Sequence, residues 1–329
     1  MPILCGRHPQ VVTEVELAYR SLNAGDARQA IARLEAAAAA GDRASLIELG
    51  VWNLDGRHIP RDLRQSRECF RQAGELGDPT AEHVYICFLA NGVGGEADWQ
   101  AANRHLRKLA TTDAMAARQI ELVEAMALDA GGFPMVKPVG RQLSTSPAVW
   151  TFDCFASRAE CLYLIDTAEP LFAQSSVVDP NTGKLRPHPV RTSDGAMFPW
   201  ASEDLVISAL NRRIAAASNT EAEFGEPLQI LRYMPGQEYR PHLDALPNAS
   251  NQRILTMLVY LNDGYSGGET FFTRTGLKIA GSTGDGLLFR NTGPGAHPDH
   301  NAEHAGLPVI RGEKFIASRW IREQPVMAR

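Results

Sequence analysis

The sequence predicts an α+β protein of two domains, an α-helical repeat of the α-solenoid kind followed by a β-sandwich or jelly-roll barrel. Two observations lead there. Residues 12 to about 129 are rich in Ala, Leu, Arg and Glu, space their apolar residues helically and repeat themselves. From Ala148 onward aromatic and β-branched residues, Gly and Pro rise, and short apolar runs alternate with turn signals. A chain of 329 residues is long enough for two separate cores.

In the first half, Gly41-Asp42 recurs as Gly77-Asp78 and then as Thr112-Asp113. Helices are expected before each pair (27–40, 65–76, 99–110) and after it (44–49, 81–89, 114–122). Gly-bearing loops at Leu54-Asp55-Gly56 and Asn91 to Gly95 separate the units. A fixed period of this size means stacked helical hairpins. The most complete unit, Ala44 to Asp78, carries Leu49-Gly50, Asp55-Gly56, Pro60-Arg61-Asp62 and Ala73-Gly74. These residues resemble Sel1-like repeats, relatives of the tetratricopeptide repeat, which implies a concave face for protein or peptide. A helical cap that supports the second domain or a dimer is the competing reading.

Residues 131–147 carry Gly, Pro and Ser without periodicity and are expected to connect the domains. The expected division is therefore a helical repeat domain over 1–130, a linker over 131–147 and a β domain over 148–329. In the last of these, helices are expected near 158–172 and 201–218. Ser157 with Glu160 three residues on suits a capping box at the first. Strands are expected at 228–233, 254–261, 269–272, 286–289 and 314–321. The Pro-, Asn- and Gly-bearing stretch 177–189 is expected to be a mobile lid or a hairpin loop.

Composition excludes several classes of function. A net charge of −5 argues against a general binder of nucleic acid or of anionic membranes. Five cysteines without a CxxC pair argue against a thiolate zinc site and favour reduced thiols. The N-terminal residues lack a basic region followed by an apolar run, and no stretch approaches eighteen apolar residues. A cytoplasmic protein is expected.

The chemistry is expected at His242 and Asp244. Two residues apart on a strand, they point to one face, so an imidazole nitrogen and a carboxylate oxygen converge. Two His and one carboxylate on one face of an iron leave three positions for cosubstrate and oxygen. Three histidines compete to be the distal ligand: His297, His300 and His304. His304 precedes an apolar segment able to form a strand, whereas the other two lie in a Gly- and Pro-rich loop, so His304 is preferred. Lys314 shares one strand face with Ile316, Ser318 and Trp320, and a lysine inside a barrel needs an anionic partner. A bound dicarboxylate would supply one. Ile230, Leu258, Phe289 and Ile316 are expected to line the site.

Residues 229–244 (Gln-Ile-Leu-Arg-Tyr-Met-Pro-Gly-Gln-Glu-Tyr-Arg-Pro-His-Leu-Asp), Gly267 to Phe272, and His304 with Gly312-Glu-Lys-Phe315 resemble prolyl 4-hydroxylases. The likeness extends upstream through 177–183 and Val190 to Ser193, and spans roughly 148–322. It implies a double-stranded β-helix of the cupin-like kind. It also implies iron(II) held by His242, Asp244 and His304, with 2-oxoglutarate and O2 as cosubstrates and ascorbate as a further cofactor. Lys314 would bind the distal carboxylate of 2-oxoglutarate, and Tyr233, Thr270 and Ser318 would complete the cosubstrate site. Tyr239, Arg253 and Trp320 would line a peptide groove. Related halogenases replace the carboxylate ligand with a small residue; Asp244 is present, which implies hydroxylation. The implied reaction is oxidation of a prolyl residue in a protein or peptide, with release of succinate and carbon dioxide. The rival readings are a free amino acid or natural-product peptide as substrate, and a repeat scaffold whose oxygenase domain is inactive.

Overall fold

The computed structural model describes residues 12–178, 185–187 and 190–326. It divides into two compact units between Ala117 and Arg118.

The first unit is helical: α1 Glu14–Asn23, α2 Ala27–Ala39, α3 Arg43–Asp55, α4 Leu63–Glu75, α5 Pro79–Asn91, α6 Trp99–Leu109 and the start of α7 Ala114–Ala125. Aspartates set the period. Asp26, Asp62 and Asp98 cap α2, α4 and α6, each accepting a backbone N–H from three residues on. Asp42 and Asp78 do the same for α3 and α5, and Asp113 accepts from the Ala116 N–H. An N-terminal carboxylate satisfies an otherwise unpaired N–H and complements the helix dipole. Gly56 and Gly92 end α3 and α5 in the left-handed conformation that glycine adopts without strain. The recurring Gly-Asp pairs thus mark helix boundaries, and the Ala-rich faces between them bury Ala18, Ala30, Leu34, Leu49, Trp52 and Cys69 in one cluster.

The second unit contains β1 Arg141–Thr145, β2 Ala148–Phe152, α8 Arg158–Ala168, β3 Ala173–Gln174, β4 Ser176–Val178, β5 Leu185–Pro187, β6 Asp194–Phe198, α9 Leu205–Ser218, β7 Leu228–Tyr233 and β8 Tyr239–His242. It continues with β9 Arg253–Tyr260, β10 Ser266–Gly267, β11 Thr270–Phe272, β12 Lys278–Ile279, β13 Gly286–Arg290, β14 His304–Gly306, β15 Val309–Arg311 and β16 Lys314–Arg322. An eight-stranded sheet runs β1-β2-β13-β9-β16-β7-β6-β3, and a four-stranded sheet runs β12-β11-β14-β8. Pairing is antiparallel throughout. The two sheets form the double-stranded β-helix.

Strand alternation explains the packing. Phe315, Ala317 and Ile321 of β16 join Leu255, Met257 and Val259 of β9 against Leu164 of α8 and Ile207, Leu210 and Ile214 of α9. The opposite faces contribute Leu231, Tyr233, Tyr260 and Ile316, which pack with Phe272, Phe289 and Val309 between the sheets. Ser157 and Glu160 form the expected capping box on α8.

Some expectations need correction. Residues 141–145 lie in the stretch read as a linker, yet they form β1 beside β2. This edge strand is mostly exposed, so its polar composition resembles a loop. Ile230 does not line the site, because it sits on the face of β7 that packs with the helices. The 158–172 helix ends at Ala168, and the 201–218 helix begins at Leu205 behind the cap Asp204. Within 177–189, β4 and β5 pair as a hairpin; residues 179–184 and 188–189, like Cys5, lie outside the described residues. Cys69, Cys87 and Cys161 are buried, Cys154 is exposed, and no two of them form a disulfide. No helix among the described residues is long and apolar enough to cross a membrane.

Candidate active site

Three strands of the smaller sheet bring the first residues together. In β8 and β14, His242 and His304 stand directly opposite each other, and Phe272 of β11 faces His304 from the other side. Asp244 follows two residues after His242, as β8 ends. His242 Nε2 lies 3.5 Å from Asp244 Oδ1, and His304 Nε2 lies 3.7 Å from Asp244 Oδ2. One ligand atom from each residue falls within 4.8 Å of the others, and Asp244 and His304 are buried.

Both imidazoles are held from behind. His242 Nδ1 is 2.8 Å from the Arg240 carbonyl, and His304 Nδ1 is 3.0 Å from that of Ala302. A carbonyl only accepts, so each Nδ1 carries the proton and each Nε2 presents a lone pair inward. His242 Nε2 is buried without a hydrogen-bond partner. Burial pushes His304 down to about 4, which keeps it neutral and able to ligate. Burial also works to raise the Asp244 carboxyl. The adjoining His304 and His242 imidazoles and the hydrogen bond from Thr256 overcome this and hold it well below the usual carboxylate range. Two neutral imidazoles, one carboxylate and a buried lone pair without a donor suit a divalent iron. Tyr239 stacks on His242 at 3.5 Å with an interplanar angle of 14°. Phe289 packs edge-on against His304 at 4.7 Å.

The larger sheet supplies the rest of the pocket. Lys314, Ile316, Ser318 and Trp320, alternate residues of β16, all line it, together with Tyr233 of β7 and Thr270 of β11. Lys314 is buried and donates to the Gly268 carbonyl at 2.7 Å. The rings of Tyr233, Tyr260 and Tyr265 stand 5.5, 5.6 and 6.0 Å from its ammonium. Burial lowers Lys314 to about 8, against a smaller opposing pull from Glu269. Gly268 is required here: it has a positive φ, and a Cβ would stand 3.1 Å from the Lys314 chain. Burial pushes Tyr233 up to about 12, so it stays a neutral phenol.

Tyr239 also lines the pocket, whereas Arg253 stands behind it. Arg253 is held by Glu226 through two bonds of 2.6 and 2.8 Å, and its guanidinium lies 3.7 Å over the Trp320 ring. The Trp320 Nε1 is buried without a partner. His297 and His300 are exposed and outside the cluster. Leu258 and Ile316 line the pocket as expected, and Phe289 reaches it through His304.

Three contributors escaped the sequence reading. Thr256 lines the pocket and donates to Asp244, and the signal was a lone polar residue at an inward position of an apolar strand. Arg191 lines it as well, its guanidinium 5.6 Å over Tyr239. Glu226 orders Arg253 and Arg322 from outside the quoted motifs, and nothing in the sequence marked it.

Residues 228–322 match the 2OG-Fe(II) oxygenase superfamily. Over 203 residues the chain is 37% identical to probable prolyl 4-hydroxylase 3 of Arabidopsis thaliana, covering 54% of this chain and 70% of that protein. A viral collagen prolyl hydroxylase from Paramecium Bursaria Chlorella virus-1, solved with 2-oxoglutarate, is 29% identical with a TM-score of 0.42, covering 53% of this chain and 95% of that one. A Sel1 repeat protein from Oxalobacter formigenes is 25% identical with a TM-score of 0.29, covering 33% and 85%. The 37% identity over 70% of a prolyl 4-hydroxylase decides the family: the chain belongs to the prolyl 4-hydroxylase family of iron(II)- and 2-oxoglutarate-dependent dioxygenases.

Proposed function

We propose that the chain hydroxylates a prolyl residue within a protein or peptide, consuming 2-oxoglutarate and O2 and releasing succinate and carbon dioxide. One observation carries the reading: two histidines, a carboxylate and a buried lysine meet in a single pocket. His242 and His304 through Nε2, with Asp244, would hold iron(II). Bound there with 2-oxoglutarate and oxygen, the iron supplies the oxidant for an unactivated C–H bond.

The remaining tasks belong to the chain. The Lys314 ammonium pairs with the distal carboxylate of 2-oxoglutarate, and the Thr270, Ser318 and Tyr233 hydroxyls hydrogen-bond around it. Leu258, Ile316 and Phe289 keep water from the reacting carbon. Tyr239 and Trp320 form the wall against which the peptide lies, and Arg253 holds the indole in place. The Trp320 N–H is a donor for a peptide carbonyl. The helical repeat region, 1–130, recruits the protein that carries the target proline.

The test is succinate release by the full chain with iron(II) and 2-oxoglutarate across proline-containing peptides, with free proline alongside. A one-oxygen mass gain on a peptide proline is expected. A gain confined to free amino acids overturns the peptide assignment, and no succinate with any substrate favours an inactive scaffold.

A further inference from the structure

Asp244 has a support that none of the assigned roles uses. The Thr256 hydroxyl donates to Asp244 Oδ2 at 2.6 Å, and the Asn291 side-chain amide donates to the same Thr256 oxygen at 2.9 Å. Each donor is almost wholly buried, Thr256 and Asn291 at 1% exposure. Asn291 is anchored by its backbone: its N–H donates to the Ile254 carbonyl, and its own carbonyl accepts from the Asp299 N–H, both at 2.9 Å. Thr256 sits on β9 opposite Trp320 of β16, on the inward face.

The chemistry of this chain of donors is directional. An amide N–H pointing at the threonine oxygen fills one of its lone pairs and leaves the hydroxyl hydrogen to point at the carboxylate. A charge-assisted O–H···O bond of this length is among the stronger hydrogen bonds in proteins. It occupies Oδ2 and leaves Oδ1 as the oxygen without a hydroxyl donor, 3.5 Å from His242 Nε2. A carboxylate without such a donor can swing and offer both oxygens to a cation.

We propose that Thr256 and Asn291 are positioning residues that confine Asp244 to one-oxygen ligation through Oδ1, so that the relay fixes both the affinity and the coordination number of the metal centre. The inference rests on the metal-centre reading given above. It makes the three positions left on the cation a property of β9 and of the residue that follows β13, as well as of the three ligands. Groups that orient a ligand typically contribute 10–100-fold in metal affinity.

The experiment titrates the metal-free full chain with Co2+ alone and follows its visible absorption, with thermal unfolding as a check on folding. Wild type, Asp244→Ala, Thr256→Ser, Thr256→Val and Asn291→Ala are compared. Thr256→Val is expected to bind about 10–100-fold more weakly and to give an altered Co2+ spectrum. Thr256→Ser, which keeps the hydroxyl, should match wild type. Asn291→Ala should shift the spectrum in the same sense as Thr256→Val, and it carries the test if the valine variant does not fold. Wild-type affinity and spectrum in both Thr256→Val and Asn291→Ala, while Asp244→Ala loses binding, overturns the relay alone. Equal binding by wild type and Asp244→Ala overturns the metal-centre reading and the relay with it.

Discussion

His242 and His304 are cross-strand partners in antiparallel β8 and β14, and each turns its Nε2 toward Asp244 because its Nδ1 is tied to a backbone carbonyl two residues earlier. The register of one short strand pair therefore sets the separation of the two imidazoles. Slipping either strand by one residue would turn its histidine to the opposite face, away from the other. The hydrogen bonds then fix ring orientation, so the site is organised before any cation binds.

His304→Ala is accordingly expected to lower succinate release by more than about 100-fold, since loss of a ligand should exceed the 10–100-fold cost of losing an orienting group. His300→Ala, an exposed residue outside the cluster, should stay within about twofold. Iron content and turnover measured on both variants check this. Full activity in His304→Ala with loss in His300→Ala would reassign the ligand.

Lys314 gives a pH dependence whose sign follows from its environment. Burial lowers it to about 8 from an ordinary value of 10.5. Below pH 8 the free protein carries the cation that an oxoacid carboxylate needs; above it the charge is progressively lost. The KM for 2-oxoglutarate should be flat below about pH 8 and then rise toward tenfold per pH unit. Lys314→Ala should raise it about 10–100-fold at neutral pH, the worth of one charged hydrogen bond. A KM that stays level through this range would remove Lys314 from the cosubstrate site.

Trp320 and Arg253 should separate peptide binding from cosubstrate binding. Trp320→Phe keeps an aromatic ring beside the Arg253 guanidinium and removes the buried N–H together with one ring of the indole. The peptide KM is expected to rise about 2–10-fold, as for one neutral hydrogen bond, with the 2-oxoglutarate KM unchanged. Glu226→Gln loosens Arg253 and should act in the same direction. Steady-state kinetics with each substrate varied in turn decides the point.

The central strands were legible because their alternation is strong. The run 228–233 coincides with β7, and the even positions of β16 face the pocket as the period of two requires. The ligands were legible because chemistry limits which side chains grip iron. What escaped was of two kinds. Edge strand β1 and strand β6, next to the other edge, are short and partly exposed, so neither periodicity nor a continuous apolar run marks them. Thr256, Asn291 and Glu226 act through partners far away in sequence, and Ile230 was assigned to the wrong face because each face of Leu228 to Tyr233 mixes apolar residues with one polar residue, Arg232 on one and Gln229 on the other. Only the fold says which side of such a strand is inward.

The helical unit offers a test that leaves the pocket untouched. Asp62 and Asp98 cap α4 and α6 one period apart, and both are exposed. Replacing either with Ala removes the acceptor of one helix N–H and the favourable charge at the dipole, at a cost of about 1 kcal/mol. Repeat arrays are stabilised by each unit and its neighbours. Two such losses at separated caps should therefore add, to about 2 kcal/mol in Asp62→Ala/Asp98→Ala. Urea unfolding followed by far-ultraviolet circular dichroism measures this. Asp62→Asn keeps a side-chain acceptor and should recover most of the loss. If Asp62→Ala unfolds at the wild-type urea concentration, the aspartates are surface charges and the period they mark has another cause.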